Sequence, residues 1–199
     1  MTTPNFTHLP MYDSNNEIDE LLFQCFDYPD YQRVNRVLNK VIADSIDPFG
    51  GFVSGGTRKT DDYAILRSRH ISEVNDWLTW IESLIPEVFK RFLTQTKSSS
   101  PDPTEGDFKI DMCWGLMFNP NENLIKHSHY PHALAFAYYV DQPDGCSPLV
   151  IEGQPVEPKN GRLTIFKGHS YHEVPRSNDA GRVTISGNVL YLPQHQKNK

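Results

Sequence analysis

The stretch His127-Ser128-His129-Tyr130-Pro131-His132-Ala133-Leu134-Ala135-Phe136-Ala137-Tyr138-Tyr139-Val140 decides how this chain is read. Its second part alternates. Ala133, Ala135, Ala137 and Tyr139 fall on one face of an extended strand, and Phe136, Tyr138 and Val140 on the other, because side chains alternate along a strand. Three of the four residues on the first face are small. A barrel wall lined by alanines leaves room for a ligand, to which Tyr139 can offer its hydroxyl. Its first part holds His127 and His129 two residues apart, a spacing that puts both imidazoles on one face of an extended strand.

A second histidine group lies downstream, in Gly168-His169-Ser170-Tyr171-His172-Glu173-Val174-Pro175. Two ligands from one strand and a third from a distant one make a mononuclear metal site, and imidazole suits iron, zinc, copper or nickel. Either His169 or His172 can supply the third donor.

Ten residues beyond His172 comes Arg182, with Thr184 on the same strand face and Val183 and Ile185 on the other. A buried arginine needs a carboxylate partner, and a guanidinium holds one through two parallel bonds. That partner is either a protein Asp or Glu or the carboxylate of a co-substrate.

Strands are predicted over residues 109–118, 133–140, 149–151, 162–166 and 182–192. The turn signals between them include Asn119-Pro120-Asn121, Pro143-Asp144-Gly145, Pro158-Lys159-Asn160-Gly161 and Asn178-Asp179-Ala180-Gly181. Short strands with regular turns point to a sandwich or barrel. The preceding half reads as helices. Val34, Val37, Leu38, Val41 and Ile42 mark one over residues 30–46, ended by Pro48 and Gly50-Gly51. A second begins at Ser72 with a long apolar stripe, which Pro86 is expected to kink or split. The run Gly50-Gly51-Phe52-Val53-Ser54-Gly55-Gly56 lacks the Gly-Lys-Ser/Thr ending of a phosphate loop and reads as a turn or strand entry. Residues 97–107 form a connector between helices and strands, so 1–199 is expected to be one domain. Within it, 1–96 is a mostly helical support and 107–193 the barrel core.

Composition limits the partners. With 19 Lys and Arg against 25 Asp and Glu the net charge is -6, and the basic residues are scattered, which leaves no nucleic-acid footprint. No apolar run approaches the roughly 20 residues that span a bilayer. The three widely spaced cysteines, Cys25, Cys113 and Cys146, form no zinc-thiolate pair and suit a reducing compartment. With no signal-peptide pattern at the start, a cytoplasmic location is expected. Oligomeric state is not legible.

Together, Trp114…Asn119, His127-x-His129, Tyr138-Tyr139-Val140, Gly161-x-Leu163-x-Ile165-Phe166, His172-x-Val174-Pro175 and Arg182-x-Thr184-x-Ser186-x-Asn188 resemble the iron(II)/2-oxoglutarate-dependent oxygenases. They are most similar to a bacterial and phage subgroup with an HxH…H motif. The glycine-rich run 50–54 also resembles that subgroup's upstream stretch. The resemblance covers the second half well and the helical half loosely.

It implies a mainly β, α+β fold: a double-stranded β-helix of the jelly-roll or cupin-like kind, with N-terminal supporting helices. It implies Fe(II), 2-oxoglutarate as co-substrate and O2, and oxidation of a small-molecule or peptide substrate with release of succinate and CO2. His127 and His172 match the family's two histidine ligands, which favours His172 over His169. Arg182 matches the arginine that grips the distal carboxylate of 2-oxoglutarate, with Thr184 beside it and Tyr139 matching an assisting tyrosine. Trp114, Asn119 and His132 are expected on the substrate side. The chain departs from the wider superfamily at His129, which stands where an Asp or Glu is usual. As a ligand it gives three neutral donors and no protein anion; as a non-ligand it leaves an open position. Two alternatives remain: a cupin-type three-histidine dioxygenase that does not use 2-oxoglutarate, and a non-enzymatic β-barrel binding module.

Overall fold

A computed structural model describes residues 21–46, 55–95, 106–176 and 181–193. Residues 48 and 50–54, most of the connector, and residues 178–180 lie outside the described residues.

The elements run β1 (Phe23–Asp27), α1 (Tyr31–Ser45), β2 (Arg58–Lys59), α2 (Ala64–Arg67), α3 (Ser72–Gln95), β3 (Gly106–Phe118), β4 (Leu124–His127), β5 (Leu134–Asp141), β6 (Leu149–Ile151), β7 (Gln154–Val156), β8 (Arg162–Lys167), β9 (His172–Val174) and β10 (Arg182–Pro193). The strands form two antiparallel sheets, a six-stranded one ordered β1-β8-β5-β10-β3-β2 and a four-stranded one ordered β4-β9-β6-β7. This is the double-stranded β-helix expected from the sequence.

Strand alternation divides the large sheet between two cores. Phe136, Tyr138, Val140, Leu163, Ile165 and Ile185 face α1 and α3 and pack with Leu38, Ile42, Trp77, Leu78, Ile81 and Ile85. Ala135, Ala137, Tyr139, Trp114, Leu116 and Phe166 face the small sheet and pack with Leu149, Ile151, Val156 and Val174. The face of β5 opposite the alanines, carrying Phe136, Tyr138 and Val140, is therefore covered by helices. Pro86 does not split α3, which runs unbroken through it. A stripe of Val74, Trp77, Leu78, Ile81, Ile85 and Val88, each at most 1% exposed, outweighs the lost donor.

Two contacts tie α1 to the sheet. Gly115 of β3 admits Ile42, whose Cγ1 would lie 2.5 Å from a Cβ at that position. Asn35 donates to the Val140 carbonyl at 2.6 Å and accepts from the Tyr138 hydroxyl at 2.9 Å. The N-terminal half also supplies β1, paired with β8, and β2, paired with β3. Among the described residues, no helix is long and apolar enough to cross a membrane. All three cysteines are free.

Replacing Asn35 with Leu strands the Tyr138 hydroxyl and the Val140 carbonyl in the core. A loss of about 1–3 kcal/mol is expected, read as a lower urea midpoint at unchanged slope. An unchanged midpoint would show that the Asn35 contacts contribute nothing.

Candidate metal centre

β4 ends on His127 and β9 begins on His172, and the antiparallel register sets the two directly opposite each other. Paired residues point to the same face of a sheet, and the two ring centroids lie 4.3 Å apart. His129 arrives differently. β4 has ended before it, so the expected same-strand geometry does not apply. Instead the His129 N–H donates to the Gly168 carbonyl at 2.7 Å. Its ring then lies 5.2 Å from that of His127 and 4.9 Å from that of His172. One ligand atom from each of the three lies within 4.8 Å of the others.

The strand-borne rings are oriented through their other nitrogens. His127 Nδ1 lies 2.8 Å from the Ile125 carbonyl and His172 Nδ1 lies 3.1 Å from the Ser170 carbonyl. A carbonyl only accepts, so each Nδ1 carries the proton and each Nε2 keeps a lone pair for a metal. Burial, with His172, His127, His132 and Lys59 adding to it, pushes His129 down to about 3. Burial and His127 push His172 down to about 4, against the hydrogen bond to Ser170. Both rings are therefore neutral donors at neutral pH.

The three histidines line a cavity of about 340 Å³, toward the lower end of the range typical of ligand sites. Along β10 the alternate residues Arg182, Thr184, Ser186 and Asn188 all line it. Arg182 is 6% exposed. One Nη donates to the Ser147 carbonyl, and the guanidinium lies 4.8 Å from the Phe118 ring centroid and 5.9 Å from that of Tyr139. Its Nε is buried without a hydrogen-bond partner among the described residues, and the Tyr139 hydroxyl is buried beside Thr164. Among the described residues no carboxylate pairs with Arg182. Burial lowers its pKa, with Tyr139 and Cys146 opposing. Burial pushes the Tyr139 phenol up to about 12, against the pull of Arg182, so the phenol stays an O–H donor. A buried cation with an unpaired Nε, close to a buried phenol, forms a site for an anion. The donors present therefore fit a metal at the three imidazoles and a carboxylate at Arg182 in the same cavity.

The other expected residues divide. Trp114 lines the cavity, its ring 5.8 Å from that of His129 and 4.6 Å from the Lys59 ammonium. Asn119 does not line it. It sits in the exposed turn after β3, bonded to Glu122 through its backbone N–H at 2.7 Å and its side-chain amide at 2.8 Å. His132 also lies outside the lining, its ring spent on the His129 carbonyl and Asp111. His169 is exposed and outside the cluster. Ser186, Asn188 and the ion pair of Lys59 with Asp62 line the cavity without a role in the sequence reading. For the first two, the alternation that carries Arg182 and Thr184 was the available signal.

No family model matches the chain, and no curated protein matches it in sequence. Its fold does match solved structures. A Pseudomonas putida prolyl-4-hydroxylase aligns at TM-score 0.60 and 16% identity, over 85% of this chain and 92% of that one. The viral collagen prolyl hydroxylase of Paramecium Bursaria Chlorella virus-1, solved as a 2OG complex, aligns at 0.55 and 10%, over 86% and 97%. The non-heme alpha ketoglutarate dependent epimerase SnoN from nogalamycin biosynthesis aligns at 0.60 and 12%, over 86% and 79%. The fold is thus the one that 2OG-Fe(II) oxygenases share.

The depressed histidine values set a pH dependence. Between the ordinary histidine value of 6.5 and the folded values of about 3 and 4, the unfolded chain takes up protons that the folded chain refuses. With a chelator present, stability is full above pH ~6.5, falls as the pH drops toward 4 and levels off below the folded values. Urea midpoints from pH 7 to 4 measure it. The double variant His129→Gln, His172→Gln should lose much of the slope; a slope equal to that of the wild type would contradict the assignment.

Proposed function

We propose that this chain is a non-haem Fe(II)- and 2-oxoglutarate-dependent dioxygenase that hydroxylates a small molecule or an amino-acid side chain. Succinate and CO2 are the co-products. The observation that carries the reading is Arg182, buried in the same cavity as three clustered imidazoles, with no carboxylate partner among the described residues. Leaving such a charge unpaired costs several kcal/mol, and a co-substrate carboxylate removes that cost.

His127, His129 and His172 would hold the metal. Arg182, Thr184 and Tyr139 would hold the distal carboxylate, the guanidinium through charge-assisted bonds and Tyr139 as a neutral donor. Iron with 2-oxoglutarate and O2 supplies the oxidation once bound. The protein positions the reactants and excludes water, here with the apolar wall of Trp114, Leu116, Phe118 and Phe166. Among the described residues no protein anion joins the donor set, so the negative charge at the metal would come from the co-substrate.

One feature favours a second reading. An all-histidine donor set also suits a cupin-type dioxygenase without 2-oxoglutarate, in which Arg182 would grip a substrate carboxylate.

Oxygen consumption separates the two. Loaded anaerobically with Fe(II), the wild-type chain is expected to consume oxygen and release succinate only when 2-oxoglutarate is added. His127→Ala should abolish this. Arg182→Gln should raise the KM for 2-oxoglutarate about 10- to 100-fold, from lost charged hydrogen bonds of about 1.5–3 kcal/mol. Arg182→Lys should restore only part, since an ammonium does not reproduce the planar fork. Turnover independent of 2-oxoglutarate would sink the first reading.

A further inference from the structure

His129 is the one histidine of the cluster that no strand holds, and its ring makes no hydrogen bond among the described residues. Its backbone is held on both sides. The N–H donates to the Gly168 carbonyl, and the His129 carbonyl accepts from the His132 N–H at 2.9 Å. The same carbonyl lies 3.0 Å from His132 Nδ1. A Cβ at position 168 would stand 2.0 Å from the His132 carbonyl oxygen, so glycine is what lets the end of β8 lie against this turn.

His132 is braced in turn from β3. Its Nε2 lies 3.4 Å from Asp111 Oδ2, with the two side chains 15% and 25% exposed. Asp111 owes its direction to a β-bulge. Asn188 of β10 pairs with Met112, but the next residue, Val189, pairs with Ile110, which leaves Asp111 without a ladder partner. Ile110 packs in the helix-side core and Met112 against the cavity-side core, although residues two apart in a regular strand share a face. A bulge re-aims a side chain in this way. Neither Asp111 nor His132 lines the cavity.

We infer that Asp111 and His132 are positioning residues for His129, fixing the carbonyl of a loop-borne ligand so that its ring faces His127 and His172. The inference rests on the metal-site reading above. His127 and His172 take their orientation from the ladder and from the Ile125 and Ser170 carbonyls; His129, whose ring has no such hydrogen bond among the described residues, is hydrogen-bonded through its backbone alone. Outer partners of this kind affect metal affinity about 10- to 100-fold.

Co(II) is the probe. It is titrated into the metal-free wild type and into His132→Ala, His132→Gln, Asp111→Asn and His127→Ala. Affinity, visible spectrum and metal-free melting temperature are recorded for each. His132→Ala is expected to bind Co(II) about 10- to 100-fold more weakly, with an altered spectrum and no matching loss of metal-free stability. His132→Gln keeps a side-chain N–H for the His129 carbonyl and should recover most of the affinity. Asp111→Asn, a milder change that keeps the fold within reach if the alanine variant does not, should weaken binding less. Wild-type affinity and spectrum in both His132→Ala and Asp111→Asn would overturn the inference. So would a loss that tracks metal-free stability and is not rescued by glutamine. Should the wild type bind Co(II) no better than His127→Ala, the metal-site reading itself fails, and the inference falls with it.

Discussion

The antiparallel pairing of β4 with β9 places His127 against His172, and the rest of the centre is arranged around that pair. Side-chain direction alternates with every residue, so a slip of one residue in either strand would turn its histidine to the outer face. What prevents the slip is burial. Val174, Leu149, Ile151 and Val156 of the small sheet pack on the cavity side of the large one, and Leu124, paired with Val174, joins them; a register irregularity between Leu124 and His127 then brings His127 to the same side. The hydrophobic effect, which has no direction of its own, thereby sets the direction of two imidazoles.

The large sheet has to be buried on both faces to leave a cavity that water does not fill freely. α1 and α3 cover one face. The small sheet covers the other, where Ala135 and Ala137 provide the space. Burial then acts on each polar group in that space. It keeps His129 and His172 unprotonated and Tyr139 protonated, and it leaves the Arg182 charge seeking an anion. Imidazole donors for a metal and proton donors for an anion in one cavity suit a ligand that binds metal through one group and offers a carboxylate as another.

The parts of this arrangement that depend on alternation were legible in the sequence. The inward face of β5, the shared face of Arg182 and Thr184, and the apolar stripes of α1 and α3 all follow from periodicity within one element. His172 needed more than periodicity, because His169 lies nearer the end of β8, and the family resemblance chose between them. The strands β1, β2, β4, β7 and β9 were not legible as strands. Each has five residues or fewer and, unlike the all-apolar three-residue β6, no unbroken apolar run to mark it; each forms against a partner strand. Asn119 was misplaced because its side chain closes a turn with Glu122, a local bond that competes with any role in the cavity. The bulge at Asp111 depends on the register between β3 and β10, and the support of His129 on the approach of β8. Both are relations between distant segments that no single stretch encodes.

The account is tested most directly by an anaerobic crystal structure with Fe(II) and 2-oxoglutarate, with iron located by anomalous scattering. Iron is expected between His127, His129 and His172, with 2-oxoglutarate reaching from it to Arg182. Iron elsewhere, or 2-oxoglutarate bound away from Arg182, would contradict the assignment of this cavity.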